Sequence, residues 1–413
     1  MKFSKLSQLF LVSSIGLLVA TVLTACQIVT IDYVYVATAA GSSSNGSIQT
    51  FAVDSDSGAL RTGATTISSG GTTPVAMAIS SDYANLYVAN SGSKIVAHFT
   101  INMNGVPKAA DSITLTSAPV ALAVDSTSTY LYVVTGGDAP ALTSYSLAKG
   151  VIGSVAAQQA LNLGGNYAND MLIPTGITVL ANNSTVSGNA VYVSAYDQSS
   201  YNPGGTASCT SNCANPGWVF GYSIGTGGAL TASHNSPYQA GVRPSGIVSA
   251  PSNRFVYVTD YAQNHLIGYQ IINLGTLNTL SYMTNGPFTT GNEPSSVAID
   301  PRGTFLYVTN ALDSSVTSYS IDITGGTPTI AVNTSGASVN ATETYPVAIA
   351  VDPALGRYVY TANYLANSLS GFRLDSTSGA LTATQSTPYP SGQEPTALVI
   401  IPHGNHALPT VAQ

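Results

Sequence analysis

The chain has 413 residues and only 7% of them are charged, where about 25% is usual in soluble domains. Eleven Lys and Arg face 18 Asp and Glu, a net charge of −7, so no basic surface able to hold nucleic acid can be assembled. The 44% hydrophobic content excludes disorder, and the missing charge is made up by Ser, Thr, Asn and Gly rather than by membrane-spanning runs.

The N-terminus reads as an export signal. Lys2 and Lys5 are followed by an uncharged apolar run from Leu9 to Val22, then Leu23-Thr24-Ala25-Cys26. That last run resembles the lipobox of bacterial lipoproteins. The resemblance implies removal of residues 1–25, acylation of Cys26 and attachment to a membrane through its lipid. A retained transmembrane anchor and an ordinary cleaved signal are the alternatives, and the short apolar run ending in small residues argues against the first. Gln27, where Asp does not stand, favours the outer membrane by analogy. The expectation is an envelope protein with a lipidated linker over residues 26–31.

From Thr30 onward one pattern returns seven times. Its centre is a β-prone run: Val34-Tyr35-Val36, Leu86-Tyr87-Val88, Leu131-Tyr132-Val133, Val191-Tyr192-Val193, Val256-Tyr257-Val258, Leu306-Tyr307-Val308 and Tyr358-Val359-Tyr360. The spacing of roughly 45 to 65 residues is that of propeller blades. After each run come an aromatic residue and, two positions on, an aliphatic one, as in Phe51/Val53 and Tyr319/Ile321. That spacing places both on one face of a strand. Before each run except the first lies a strand opened by proline, at Pro74, Pro119, Pro174, Pro244, Pro294 and Pro346, and Pro395 opens one more. Proline suits a first strand position, where its missing N–H breaks no ladder bond. Asp300-Pro301-Arg302-Gly303 has the residues of a type I turn, and turns such as Gly58-Ala59-Leu60 and Gly379-Ala380-Leu381 lead into a fourth strand.

The predicted fold is all-β: a seven-bladed β-propeller of four-stranded antiparallel blades over residues 32–402. The run at Tyr35 lacks a proline-led strand before it, and Pro395 to Pro402 lacks a run after it. Paired together, the two ends complete one blade and close the ring. An insertion at about residues 197–217 falls in the fourth blade, and residues 403–413 form a tail.

The segment Asp300-Pro301-Arg302-Gly303 followed by Phe305-Leu306-Tyr307-Val308-Thr309-Asn310 resembles the YVTN repeat of seven-bladed propellers. The chain from about Asp32 to Pro402 resembles the lactonase propeller family, whose namesake members hydrolyse 6-phosphogluconolactone. The resemblance implies a site at the channel mouth, and histidine after the opening proline in some repeats. Here those positions hold Val75, Val120, Thr175, Ser245, Ser295, Val347 and Thr396. A phosphorylated lactone would also require a basic pocket.

The residues before the prolines are Thr73, Ala118, Ile173, Arg243, Glu293, Tyr345 and Glu394. In so uncharged a chain, three ionisable groups in one ring are candidate chemistry. Glu293 and Glu394 would act as acid–base groups and Arg243 as an oxyanion clamp, or the three form a solvated ion-pair cluster. Tyr345, Tyr196 and Trp218 are candidate binding residues. Cys209 and Cys213, close together in an exported chain, are expected to form a disulfide that pins the insertion. His403 and His406 lack a third ligand, so no metal site is expected, and no cofactor fingerprint is found. The leading expectation is a binding or scaffold module for a saccharide, lactone or envelope protein. Hydrolysis of a lactone or ester at the central channel is the alternative.

Overall fold

The computed structural model describes residues 29–39, 45–62, 66–164, 170–181, 189–198, 216–274, 277–331 and 339–403. Cys26, Tyr201, Cys209, Cys213 and His406 lie outside the described residues. Seven antiparallel sheets are present, and in each the strand order follows the chain outward from a proline-led innermost strand, except at the closure. Blade 2 shows the pattern, with Pro74–Ile79 innermost, then Asn85–Asn90, Ile95–Ile101 and Pro107–Thr114. In five blades the outermost strand is broken into two short pieces that both pair with the third strand. The inner strands touch their neighbours in an unbroken circle.

Blade 1 takes its inner strand from the C-terminus. Thr30–Thr38 lies between Asn45–Asp54 and Pro395–Pro402, running from Asp32 opposite Pro402 to Thr38 opposite Pro395. Both ladders of one strand therefore lock the ring without a covalent bond, as the chain ends had suggested.

The repeated tyrosines carry the packing. Tyr35, Tyr87, Tyr132, Tyr192, Tyr257, Tyr307 and Tyr360 are all fully buried, where a phenol calls for a partner inside. Five of the seven have one in the next blade, and among the described residues the hydroxyls of Tyr132 and Tyr192 have none. Tyr307 Oη donates to the carbonyl of Gly379 in the next blade at 3.0 Å. The same bond joins Tyr35 to Gly105, Tyr87 to Gly150, Tyr257 to Gly326 and Tyr360 to Gly58. Gly379 has φ +73°, and a Cβ there would lie 2.2 Å from the Phe305 ring. Only glycine fits a turn that presses on the neighbouring blade.

A second set of stitches runs near the axis. Ser245 Oγ donates to Pro294 O, Ser295 Oγ to Pro346 O at 2.6 Å, and Thr396 Oγ1 to Pro74 O at 2.8 Å. At three of the positions after the proline, where the family resemblance implied histidine, hydroxyls thus bind one inner strand to the next.

Candidate functional site

The inner strands begin at their prolines, so the seven residues before them ring one mouth of the channel. Four of these have left-handed backbone: Thr73, Glu293, Tyr345 and Glu394, with φ of 54°, 54°, 63° and 52°. Such a conformation costs about 1–3 kcal/mol per non-glycine residue and survives only where surrounding bonds dictate it. Those bonds are present. The Glu293 N–H donates to Asn264 Oδ1 at 2.8 Å and its carbonyl accepts from Ala311 N at 2.9 Å. Glu394 is clamped alike, its N–H on Asn367 Oδ1 at 2.8 Å and its carbonyl on Ala39 N at 3.0 Å.

A second ring joins the first. The residue four positions after each repeat tyrosine bonds back to, or pairs with, the residue before the proline, as Tyr261 N does to Arg243 O and Tyr364 N to Tyr345 O, both at 2.9 Å. In blade 4 the ladder sets Tyr196 opposite Ile173. Read around the channel, this ring is Ala39, Ser91, Gly136, Tyr196, Tyr261, Ala311 and Tyr364. The mouth is therefore lopsided. Blades 2 and 3 offer Thr73, Ala118, Ser91 and Gly136, whereas blades 4 to 7 and the inner strand of blade 1 bring nearly all the aromatic and ionisable groups.

Tyr261 holds that half together. Its hydroxyl donates to Glu293 Oε2 at 2.6 Å and lies 3.1 Å from Tyr345 Oη. Its ring carries the Arg243 guanidinium, whose Cζ stands 4.5 Å from the centroid, with Tyr196 on another side at 5.6 Å. A cation desolvated between two rings gains a quadrupole attraction and a fixed direction. Burial, then the bonds to Glu293 and Tyr345, push the Tyr261 phenol far above its usual range, so it remains a donor. Tyr364 likewise bonds the Glu394 carboxylate, and its phenol is raised by burial first and Glu394 second. All these side chains are half-buried.

Arg243, Glu293 and Tyr345 are thus brought into one contact group, Tyr196 flanks it, and Glu394 forms its own pair two blades on from Glu293. Trp218 belongs instead to the strand Gly217–Ile224, opposite Ala195, and packs against the core between blades 3 and 4. Tyr261 and Tyr364 were not singled out in the sequence. The signal that finds them is the offset of four from Tyr257 and Tyr360, the same offset that links Tyr192 to Tyr196. Also missed was a carboxyl pair at the mouth end of blade 4. Asp197 is buried, and the carboxyl of Asp170 is raised by burial and by the charge and hydrogen bond of Asp197.

The chain belongs to the lactonase family of seven-bladed β-propellers, whose family model matches residues 24–111 and 218–400, more than half of the sequence. No curated protein matches it. Among solved structures, the periplasmic gluconolactonase PpgL of Pseudomonas aeruginosa superposes with a TM-score of 0.67 at 16% identity, over 90% of this chain and 99% of that one. A provisionally assigned 6-phosphogluconolactonase of Bacteroides fragilis gives 0.68 at 17% identity, over 90% and 98%. A protein from Lactobacillus plantarum gives 0.68 at 15%, over 90% and 99%. At such identities the structural likeness is one of fold.

Proposed function

We propose that this protein hydrolyses a neutral lactone, with its site at the channel mouth of blades 4 to 7 and 1. The observation that carries the reading is Tyr261, which binds a guanidinium on its face and a carboxylate on its hydroxyl, fixing Arg243 and Glu293 beside one open space. Membership of the lactonase family supports it, and it displaces the scaffold role favoured by the sequence. In this arrangement Glu293 accepts a proton from water as the water attacks the lactone carbonyl. Arg243 stabilises the oxyanion that forms. Tyr345, a neighbouring hydroxyl, donates to the ring oxygen as its bond to carbon breaks and recovers a proton from Glu293 through the Tyr261 hydroxyl between them, and the product is a hydroxy acid. Glu394 with Tyr364 orients the hydroxyl groups of the substrate.

Substrate charge follows from the same inventory. Arg243 is the sole cation in the two described rings, which suits an uncharged aldonolactone better than its 6-phosphate, since a phosphate calls for several donors of charge. The test is hydrolysis of gluconolactone, its 6-phosphate and aliphatic lactones by residues 27–413, each against the spontaneous rate. Turnover that falls by about 10²–10⁴ in Glu293→Gln is expected for a lost general base. Background rates across the panel would end the hydrolase reading and leave the mouth as a saccharide-binding surface.

The setting belongs to the same proposal. The protein is lipid-anchored at Cys26 to the bacterial envelope, on the outer membrane. Cys26→Ser should release the protein from membranes. A variant that stays membrane-bound and keeps residues 1–25 would instead support a transmembrane anchor.

A further inference from the structure

The end of the propeller opposite the mouth carries a second polar site that lactone chemistry does not use. There the turns after the inner strands of blades 6 and 7 meet the outer turns of blades 7 and 1 around a cavity of about 550 Å³. Arg302, Arg357 and Arg373 line it, with Ser55, Ser376 and Asp56. The chain has 11 Lys and Arg, two of them Lys2 and Lys5, so a third of the propeller's cations face one cavity.

Of the three arginines, Arg302 alone is held in an ion pair among the described residues. Its Nε donates to the buried Asp300 at 2.7 Å, which orients the guanidinium and leaves it 20% exposed. Arg357 and Arg373 extend into solvent. Asp54 and Asp375 are close by, but each folds its Oδ1 back onto its own turn. Asp54 accepts from the N–H groups of Asp56 and Ser57, and Asp375 from those of Thr377 and Ser378. Asp56 is the single acidic group on the lining, and Ser55 Oγ donates to it at 3.3 Å.

We propose that this cavity binds a phosphate or phosphodiester group, gripped by Arg357 and Arg373 with Arg302 behind them. Paired guanidinium forks match phosphate oxygens bidentately, and the hydroxyl of Ser376 adds a donor. The cavity has room for more than phosphate alone, and Asp56 faces the hydroxyl or ammonium that the attached group would carry. Two sources of that chemistry exist, a free phosphate compound and a lipid headgroup. The second gains weight from the chain path. The strand beginning at Thr30 starts on this face, where Ser55 N donates to Val29 O at 3.0 Å and Arg61 Nη2 to Thr30 Oγ1 at 3.1 Å. Cys26 lies four residues before Thr30 in the sequence.

Residues 27–413 contain every strand of the ring and serve as the test protein. Inorganic phosphate and O-phosphoethanolamine are titrated calorimetrically, and co-sedimentation is measured with phosphatidylcholine vesicles with and without phosphatidylglycerol. The exposed pair Arg357→Gln/Arg373→Gln should weaken binding by at least about tenfold, with lactone turnover unchanged because the mouth is at the other end and with thermal stability unchanged at pH 6, where Asp32 stays protonated. Asp56→Asn should tighten binding of inorganic phosphate severalfold by removing a like charge. Saturable binding of either soluble probe, lost in the double variant, identifies a free phosphate compound. Vesicle binding that needs phosphatidylglycerol and is lost in the double variant identifies a headgroup. Binding by neither route, or the same affinity in all three proteins, overturns the proposal.

Discussion

Asp32 offers the sharpest physical test of how the ring closes. It sits in the closure strand opposite Pro402, fully buried, and its carboxyl is pushed up to about 8 by burial first and by the charge of Asp352 second, with Arg357 opposing. In the unfolded chain it titrates near its ordinary value of 3.8. The folded state therefore binds the proton more tightly, so its contribution is complete below about pH 4 and is lost as pH rises through 8. Between pH 4 and 8 the loss is about 1.4 kcal/mol for each unit of pH, or about 5 kcal/mol in all. Asp32→Asn keeps the shape and removes the titration. With an unfolding entropy that scales with chain length, about 1–2 °C should follow per kcal/mol, so the variant should melt roughly 5–10 °C above wild type at pH 8. At pH 4 the two should nearly coincide. The assay is thermal unfolding of both proteins across that range. Parallel pH profiles, or a wild-type curve that gains on the variant as pH rises, would refute the reasoning.

Other outcomes follow from the same geometry. Tyr261→Phe keeps the ring under Arg243 but removes the donor to Glu293, so kcat for the preferred lactone should fall about tenfold while KM stays nearly constant; steady-state kinetics decides it. Gly379→Ala forces a Cβ to within 2.2 Å of Phe305 at φ +73° and should cost about 2–4 kcal/mol in urea unfolding. Tyr307→Phe deletes only the bond to that glycine's carbonyl and should cost about 1–3 kcal/mol, and wild-type stability in the Gly379→Ala variant would contradict the packing argument. Deleting Thr30–Thr38 removes both ladders of the closure and should abolish cooperative melting, as read by circular dichroism.

Much of this architecture was legible in the residues themselves. The blade count, the strand order and the closure of the two chain ends follow from a strong repeat, because alternation and turn chemistry are local properties that recur seven times. The ring of residues before the prolines was legible for the same reason, and it contained Arg243, Glu293, Tyr345 and Glu394. What the linear pattern hid were relations between blades. The tyrosine of one repeat bonds a glycine some 70 residues away, as Tyr307 does Gly379, and the hydroxyl after each of several prolines reaches the next inner strand. Position in a repeat does not reveal such partners, since they depend on how twisted sheets stack around the axis. Tyr261 was passed over because it follows the strand rather than leading one, and only stacking places its ring under Arg243 and its hydroxyl on Glu293. The three arginines of the far face lie 55 and 16 residues apart along the chain. Distance in sequence separated them, and two adjacent blades brought them to one cavity.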